Sequence, residues 1–359
     1  MKSIRCILLS LSLFSLFSCE FLSKDTSVKN QKEEVEKLKK SLSSKANDYA
    51  LVIHGGAGFI KKEFTSDSLE NAYRAKLTEA LEHGYALLEK GVDAEQVVVE
   101  TIHILEESPL FNAGRGAVAT ADARFELDAS IMSGSDLSAG AVAGITTVKS
   151  PIALAQKIKN ESPHVFLSGK GAENFAELQG LEIVENEYFS TEKALISLEK
   201  AKAKENDASA YLIDPVLKNT KYGTVGCVVL DKNGTIVAGT STGGMTNKKF
   251  GRIGDVPVIG AGNYANNATC GISATGHGEF FIRNVVAYDI SAMMAYADFT
   301  LEQAAQIVVH EKLQNMQGSG GVIGIDSDGN VVMEFNSEGM FRGYKTSSGE
   351  TYVGLFKED

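Results

Sequence analysis

The chain has 359 residues, of which 43% are hydrophobic, 8% aromatic and 23% charged. This is the composition of a folded globular protein with a large core, and it excludes a disordered or collagen-like chain. The net charge of -11 argues against a protein that binds the nucleic-acid backbone. The cysteines and histidines show no metal-ligand spacing, so neither a disulfide framework nor a zinc site is expected.

The first 19 residues have the pattern of a secretory signal. Lys2 and Arg5 precede an uncharged apolar run, 7–17, that is too short to span a bilayer. The run ends in Leu-Phe-Ser-Cys, which is similar to the lipobox of bacterial lipoproteins and makes Cys19 the acylated residue. The phenylalanine is larger than the residue usual there, so a plain cleaved signal is the alternative. The sequence predicts an exported protein, either periplasmic or anchored to a membrane by lipid.

Residues 20–48 predict a polar tether. They are rich in Lys, Glu, Ser and Asn, and Val35, Leu38 and Leu42 lie at helical spacing. A helix this short is marginal in water, so a solvated linker is favoured over a coiled coil. We expect the remaining residues, 49–359, to form a single domain.

The first half of that domain alternates short apolar strands with amphipathic helices. The first strand runs into the glycine-rich loop His54-Gly55-Gly56-Ala57-Gly58. The predicted strands lie at 50–53, 125–130, 141–148 and 165–168. A first helix is capped by Asp67 and reaches Leu88, and a second, at 94–107, begins with an Asp93 and Gln96 capping box. A third helix follows Ser150-Pro151.

A polar connection separates the two halves of the domain. Residues 188–221 are rich in Lys, Glu, Ser and Asn with weak periodicity, which predicts a long exposed loop, and such loops are usually functional. The elements predicted after it are a hairpin at 224–230 and 235–240, helices at 282–296 and 301–314, and a hairpin at 322–325 and 331–335. Because strands cluster at both ends, we expect layered sheets covered by helices.

One motif, Gly239-Thr240-Ser241-Thr242-Gly243, matches the G-x-S-x-G pattern of serine esterases. Asp255 and His277 follow in the order that such a triad requires, so an esterase with Ser241 as its nucleophile is one hypothesis. The pattern needs a helix directly after the serine, and 242–247 is a poor helix start. The esterase hypothesis is therefore not preferred.

A second motif, Gly223-Thr224-Val225-Gly226, lies between the polar connection and the first hairpin. Taken alone, it is typical of a strand start. Thr224 becomes a self-sufficient nucleophile if the preceding peptide bond is cut, because its own α-amino group can then act as the base. The reference pKa of such an amine is about 7.7 to 8.0, close to working pH. Gly223 suits the cut, since it tolerates strained torsions.

These motifs belong to a longer pattern that resembles the plant-type L-asparaginases and isoaspartyl aminopeptidases, which are N-terminal-nucleophile (Ntn) hydrolases. The resemblance covers residues 51–356. It depends on blocks that occur in order at 51–58 (LVIHGGAG), 109–118 (PLFNAGRGAV), 126–132 (ELDASIM), 223–226 (GTVG), 240–244 (TSTGG), 251–255 (GRIGD) and 274–279 (ATGHGE). It implies an α+β fold, the four-layer αββα sandwich of the Ntn hydrolases, and autocleavage into an α subunit, 49–223, and a β subunit, 224–359.

The resemblance also implies a role for each matching polar residue. Thr224 would cut its own chain and then attack the substrate, while Thr242 would hold the nucleophilic hydroxyl in place. Thr275 and Gly276 would form the oxyanion hole. An arginine fork suits an α-carboxylate, and a carboxylate suits an α-ammonium group. The substrate-binding residues would accordingly be Asn112, Arg252, Asp255, Gly276 and Gly278.

The activity implied by the resemblance is hydrolysis of β-aspartyl dipeptides and L-asparagine to release L-aspartate, with no organic or redox cofactor. The mature protein would be a dimer of cleaved αβ units. A structural sodium ion would be bound by main-chain oxygens, which suit a hard cation. Its ligands would come from Leu105, Glu106, Ser108, Phe111, Ala113 and Arg115.

Two further alternatives stay open. Glycosylasparaginase shares the fold and the threonine, but an acid commonly precedes the threonine in those enzymes, where this chain has Gly223. A non-catalytic lipoprotein that binds amino acids, with Thr224 uncut, is the other. The net charge indicates solubility rather than a particular partner.

Overall fold

The computed structural model of the protein describes residues 45–205 and 223–359. The predicted signal segment, Cys19 and the tether before residue 45 lie outside these ranges, and so does the part of the polar connection at 206–222. Among the described residues, no helix combines the length and apolar character needed to cross a membrane.

The folded unit comprises Ala46–Asp359 and begins before the domain start predicted at Tyr49. The backbone N–H of Asn47 donates to Asp328 O at 3.1 Å, and its side chain donates to Gly329 O at 2.9 Å. These bonds join the end of the predicted tether to the turn of the last predicted hairpin, so the boundary lies slightly earlier than the composition suggests.

The strands of the described residues form two sheets. The strands are β1 (Ala50–Gly58), β2 (Leu127–Ser133), β3 (Ala139–Ile145), β4 (Phe166–Ser168), β5 (Val225–Leu230), β6 (Ile236–Thr242), β7 (Asn263–Ala265), β8 (Cys270–Gly276), β9 (Gly320–Asp326), β10 (Val331–Phe335), β11 (Gly339–Thr346) and β12 (Thr351–Phe356). The larger sheet has the order β12-β11-β1-β5-β6-β2-β3-β4, and the smaller has the order β10-β9-β8-β7. Neighbouring strands are antiparallel except β3 and β4.

Helices cover the outer faces of both sheets. The α-helices of the described residues are α1 (Asp67–Glu89), α2 (Ala94–Glu106), α3 (Pro151–Glu161), α4 (Gly169–Leu178), α5 (Glu192–Glu205), α6 (Gly278–Asn284), α7 (Val286–Ala297) and α8 (Leu301–Gln306). A π-helical segment, Ile307–Leu313, continues α8.

The two sheets pack face to face between the helical layers. Successive side chains of β1 show this, because they belong alternately to two different cores. Leu51 and Ile53 belong to the core that the larger sheet shares with α1, α2 and α3, whereas Val52 belongs to the core between the sheets. A third core joins the smaller sheet to α6, α7 and α8. Successive side chains of a strand point to opposite faces, so each sheet buries both of its faces. The predicted α+β fold, a four-layer αββα sandwich, is confirmed.

The helix starts follow local capping rules with one change. Ser66, not Asp67, caps α1, because its side-chain oxygen accepts a first-turn N–H and Asp67 is the first helical residue. The cap of α2 at Asp93 is confirmed by the N–H of Gln96, 3.0 Å away. The reciprocal half of the predicted capping box is absent, since the Gln96 side chain donates to Glu100 instead.

Two predicted segments have a different structure. The polar connection contains α5, which buries only Ala194 and Leu198 on its inner face, so its hydrophobic periodicity is weak. The helix predicted at 282–296 is two helices, because Val285 has a left-handed backbone with φ of 50° and separates α6 from α7. The predicted strands near β2 and β3 are displaced by a few residues, since buried Ala, Gly and Ser side chains do not mark strand ends clearly.

The confirmed hairpin of β5 and β6 places two threonines opposite each other. Val225 pairs with Ser241 and Gly226 with Thr240, so Thr224 lies opposite Thr242 at the open end of the pair. Both threonine side chains point into the space between the sheets, whereas Ser241 points toward the helices. This end of the space between the sheets is polar, while its other end is the apolar inter-sheet core.

Candidate active site

The carbonyl oxygen of Gly223 is the focus of the polar cluster. It accepts hydrogen bonds from Thr224 Oγ1 at 2.6 Å, Asn112 Nδ2 at 2.9 Å and Thr242 Oγ1 at 3.1 Å. The Thr224 hydroxyl therefore lies beside the peptide bond that precedes its own residue. The other two donors can stabilise negative charge on the oxygen if that bond is attacked.

The orientations of Asn112 and Thr242 are set by further bonds. Asn112 Nδ2 also donates to Gly244 O at 2.7 Å, and its Oδ1 accepts the N–H of Val118 at 2.9 Å. Thr242 Oγ1 accepts the N–H of Gly244 at 3.0 Å and lies 3.2 Å from Thr224 Oγ1. Because these acceptor positions are occupied, both side chains direct their protons toward Gly223 O. The resemblance implies a substrate-binding role for Asn112, but nothing in the sequence indicates this contact with Gly223 O.

The glycine-rich loop at the end of β1 packs on the same peptide bond. Gly56 has φ of 111°, and a Cβ at this position would lie 2.9 Å from Gly223 Cα and 3.1 Å from Thr224 N. The positive φ and the close approach both favour glycine. Thr275, at the end of β8 on the facing sheet, accepts a hydrogen bond from the Ala57 N–H at 3.3 Å. The loop therefore connects the predicted nucleophile to the predicted oxyanion residues Thr275 and Gly276.

Arg252, Asp255 and Gly278 form a second group beside this cluster. A Cβ on Gly278 would lie 2.8 Å from Arg252 Nη2 and 2.9 Å from Asp255 Oδ1, so the two charged groups flank this glycine. Asp255 is 5% exposed, and its Oδ2 is buried without a hydrogen-bond partner among the described residues. Burial raises the pKa of Asp255 to about 7, although the Arg252 charge opposes the shift. This oxygen is therefore free to accept a hydrogen bond from a ligand.

Asp255→Asn is expected to stabilise the folded protein, more strongly at high pH. The carboxyl is easier to ionise in the unfolded chain than in the buried site, so the wild type loses stability as pH rises toward and through about 7. Asn carries no charge, so its advantage over Asp should be about 2 to 3 kcal/mol larger at pH 8 than at pH 5. Urea unfolding at the two pH values measures this difference. An equal effect at both would show that the carboxyl titrates normally.

His54, in the glycine-rich loop, lies next to the predicted nucleophile Thr224. Its Nδ1 lies 3.2 Å from Thr224 O, and its Nε2 lies 2.9 Å from Ser273 Oγ. Burial lowers the pKa of His54 to about 3, so the ring is neutral. A carbonyl oxygen can only accept, so Nδ1 carries the proton and Ser273 donates to Nε2. Nothing in the sequence distinguishes this histidine from a core histidine.

We expect His54→Phe to slow both chain cleavage and turnover by about tenfold, because it removes the donor that holds the Thr224 carbonyl. His54→Asn is the matched control, since its side-chain amide can occupy the position of Nδ1. It should retain most of the activity. Denaturing gels measure the cleavage rate, and an activity assay of the cleaved protein measures turnover. Equal losses in both variants, without loss of melting temperature, would contradict a role for this hydrogen bond.

Ser241 lies away from the cluster. Its hydroxyl is fully buried and donates to Glu106 Oε1 at 2.7 Å, on the helix-facing side of the larger sheet. The Glu106 carboxylate also accepts bonds from Ser150 Oγ and the Ile152 N–H, so it joins α2, α3 and β6. The hypothesis that Ser241 is an esterase nucleophile is therefore wrong, because strand alternation places it on the opposite face from Thr224.

Main-chain oxygens of the loop after α2 lie close to two glycines. A Cβ on Gly116 would lie 2.0 Å from Phe111 O and 2.9 Å from Ser108 O, and a Cβ on Gly114 would lie 2.4 Å from Glu106 O. Glycines at these two positions let the carbonyls approach closely, which fits the oxygen ligands of a hard cation. No group of three or more His, Cys, Asp or Glu side chains that could bind a metal occurs in the described ranges.

A four-layer αββα sandwich with a threonine at the start of a central strand is the arrangement expected of an N-terminal-nucleophile hydrolase. The family model described as asparaginase matches residues 47–355. The isoaspartyl peptidase of Salmonella typhimurium is 46% identical over 87% of this chain and 100% of its own length, and that of Escherichia coli is 47% identical over 86% and 96%. A probable isoaspartyl peptidase/L-asparaginase 2 of Arabidopsis thaliana is 43% identical over 86% and 99%. The chain belongs to the asparaginase family.

Proposed function

We propose that the protein is an autoproteolytic threonine amidohydrolase that releases L-aspartate from β-aspartyl dipeptides and L-asparagine. The observation that carries this proposal is the placement of Thr224 Oγ1 against the Gly223 carbonyl, with Asn112 and Thr242 as additional donors. The relatives named isoaspartyl peptidase support the substrate class.

In the cleavage step, Thr224 Oγ1 attacks the carbonyl carbon of Gly223. Asn112 Nδ2 and Thr242 Oγ1 stabilise the negative charge that develops on the carbonyl oxygen. The C–N bond breaks, the hydroxyl proton passes to the departing nitrogen, and an ester joins Gly223 to the Thr224 side chain. Water then hydrolyses this ester, which restores the hydroxyl and leaves a free α-amine on Thr224.

In turnover, the new α-amine accepts the proton of Thr224 Oγ1, which attacks the side-chain carbonyl of the substrate. Thr275 Oγ1 and the Gly276 N–H stabilise the tetrahedral oxyanion. The leaving amine takes up the proton, and water hydrolyses the aspartyl ester to release L-aspartate. Arg252 binds the α-carboxylate. Asp255 binds the α-ammonium group, which becomes the hydrogen-bond partner of its otherwise unpaired Oδ2. Asn112 stays beside the reacting groups in both reactions.

The test is N-terminal sequencing of the mature fragments, followed by release of aspartate from β-aspartyl-leucine, L-asparagine and glycosylated asparagine. We expect a fragment that begins at Thr224 and release from the first two substrates. Release from glycosylated asparagine alone would favour glycosylasparaginase, and an intact chain without activity would favour the amino-acid-binding lipoprotein.

We further propose a structural sodium ion bound by main-chain oxygens of Leu105, Glu106, Ser108, Phe111, Ala113 and Arg115. The close approach of three of these carbonyls to Gly114 and Gly116 supports it. The ion would stabilise the conformation of the loop that carries Asn112. We also propose that the cleaved units form a dimer and that Cys19 is acylated after export. Sedimentation of the mature protein tests the dimer. Labelling with radioactive palmitate, compared between the wild type and a Cys19→Ser variant, tests the acylation.

A further inference from the structure

Arg252 is already held by a carboxylate. Its Nε donates to Glu279 Oε1 at 2.9 Å, and its Nη2 donates to Glu279 Oε2 at 3.0 Å. Two parallel bonds of this kind fix the plane of a guanidinium as well as its position. The Arg252 side chain is only 17% exposed, whereas that of Glu279 is 54% exposed, so the glutamate approaches from the solvent side.

The bond to Glu279 leaves a free edge on the guanidinium. Five N–H groups are available, and Glu279 uses the one on Nε and one of those on Nη2. Of the three that remain, one on Nη1 and one on Nη2 point along the edge between these two nitrogens. A Cβ on Gly254 would lie 2.9 Å from Nη1, and one on Gly278 would lie 2.8 Å from Nη2. This edge therefore adjoins two glycines and Asp255, on the side where the substrate is proposed to bind.

Glu279 is the side chain that hydrogen-bonds Arg252 in the described part of the chain. It lies in a loop outside the helices and strands, next to Gly251 in a left-handed conformation and close to the fully exposed Phe250. A long arginine side chain loses much rotamer freedom when it binds a ligand, unless a neighbour has already ordered it. Glu279, held in the first turn of α6, is placed to do this.

We propose that Glu279 is a positioning residue that sets the preference for substrates with a free α-carboxylate, by holding Arg252 with its Nη1 and Nη2 edge toward the substrate. This inference rests on the proposed function. Glu279 also repels the α-carboxylate, but its exposed charge is screened by water and salt. The ordering of Arg252 therefore outweighs the repulsion.

The test compares L-asparagine with its α-carboxamide, which lacks the α-carboxylate, in the mature cleaved enzyme. Glu279→Ala should raise KM for L-asparagine about tenfold, or about 1.4 kcal/mol, and change kcat less than about twofold. Glu279→Gln keeps one acceptor for Arg252, so a smaller rise is expected. KM for the α-carboxamide should stay unchanged in both variants. Glu82→Ala is the matched control, because Glu82 is 53% exposed and makes the same kind of paired contact with Lys345.

A double-mutant cycle shows whether Glu279 acts through the arginine. In an Arg252→Lys background, Glu279→Ala should raise KM no further. A fall in KM for L-asparagine in Glu279→Ala would overturn the proposal, since it would mean that repulsion dominates. An equal rise in KM for the α-carboxamide would also overturn it, as a sign of general disorder. Failure of the proposed function can be distinguished from failure of this inference, because in that case the wild type itself would release no aspartate.

Discussion

Thr224→Ala is expected to abolish both chain cleavage and release of L-aspartate. The hydroxyl that lies 2.6 Å from Gly223 O is the group proposed to attack this carbonyl, and no other hydroxyl of the cluster is attached to the residue that the cut would free. Without cleavage the α-amine stays an amide nitrogen and cannot act as a base. A denaturing gel should show one intact chain, and the activity should fall to background.

Thr224→Ser provides the control for this result. Serine keeps the hydroxyl and the future α-amine, so cleavage and turnover should persist at reduced rates, because the hydroxyl is no longer confined by the β-methyl group. Two bands from Thr224→Ala, or aspartate release near the wild-type rate, would contradict the proposed mechanism. A folded, uncut Thr224→Ala protein with an unchanged melting temperature would show that the loss is chemical.

Thr275→Val should lower kcat by about a hundredfold to a thousandfold while chain cleavage proceeds normally. The two reactions are proposed to use different donors for the oxyanion. In cleavage, Asn112 and Thr242 contact the Gly223 oxygen, and no contact with Thr275 is observed there in the described part of the chain. In turnover, the substrate oxygen is proposed to bind Thr275 and Gly276. Gel analysis of the purified variant measures cleavage, and aspartate release measures kcat.

The comparison variant is Thr242→Val, which removes a hydroxyl that contacts both Gly223 O and Thr224 Oγ1. This change should slow cleavage as well as turnover. The pair of valine variants separates the two oxyanion sites, because both substitutions remove one hydroxyl from a buried strand and keep the side-chain shape. Slow cleavage in Thr275→Val with normal cleavage in Thr242→Val would reverse the assignment.

The secondary structure could be predicted well where local chemistry decides it. The hairpin of β5 and β6 has a polar turn between two β-branched runs, and Ser150 before Pro151 marks the start of α3. The prediction is wrong where the hydrophobic pattern is weak, or where one residue's backbone conformation ends a helix. Val285 separates α6 from α7 although its side chain suits a helix, and α5 has only a narrow apolar face.

The site could be predicted only in part. Thr224, Thr242, Asn112, Arg252 and Asp255 occupy the motifs that carry the resemblance to the family, and the structure brings the first three into direct contact around Gly223 O. His54 and Glu279 lie in the same motifs, yet no local pattern indicates what they contact. Their partners, Thr224 O and Arg252, are far away in the chain.

The amino-acid sequence by itself determined the two hairpins, the starts of α2 and α3, the threonine that can become an N-terminal nucleophile, and the family, because these depend on local propensity and on residue identity along the chain. It did not indicate β7, β8, β11, β12 or α4, whose short or mixed segments carry no clear local signal. Only the tertiary structure decided which face each side chain occupies and which distant groups meet. Strand pairing turned Ser241 toward Glu106 and Thr242 toward Thr224. Burial raised the pKa of Asp255 and kept His54 neutral, since removal from water disfavours the charged form of either group.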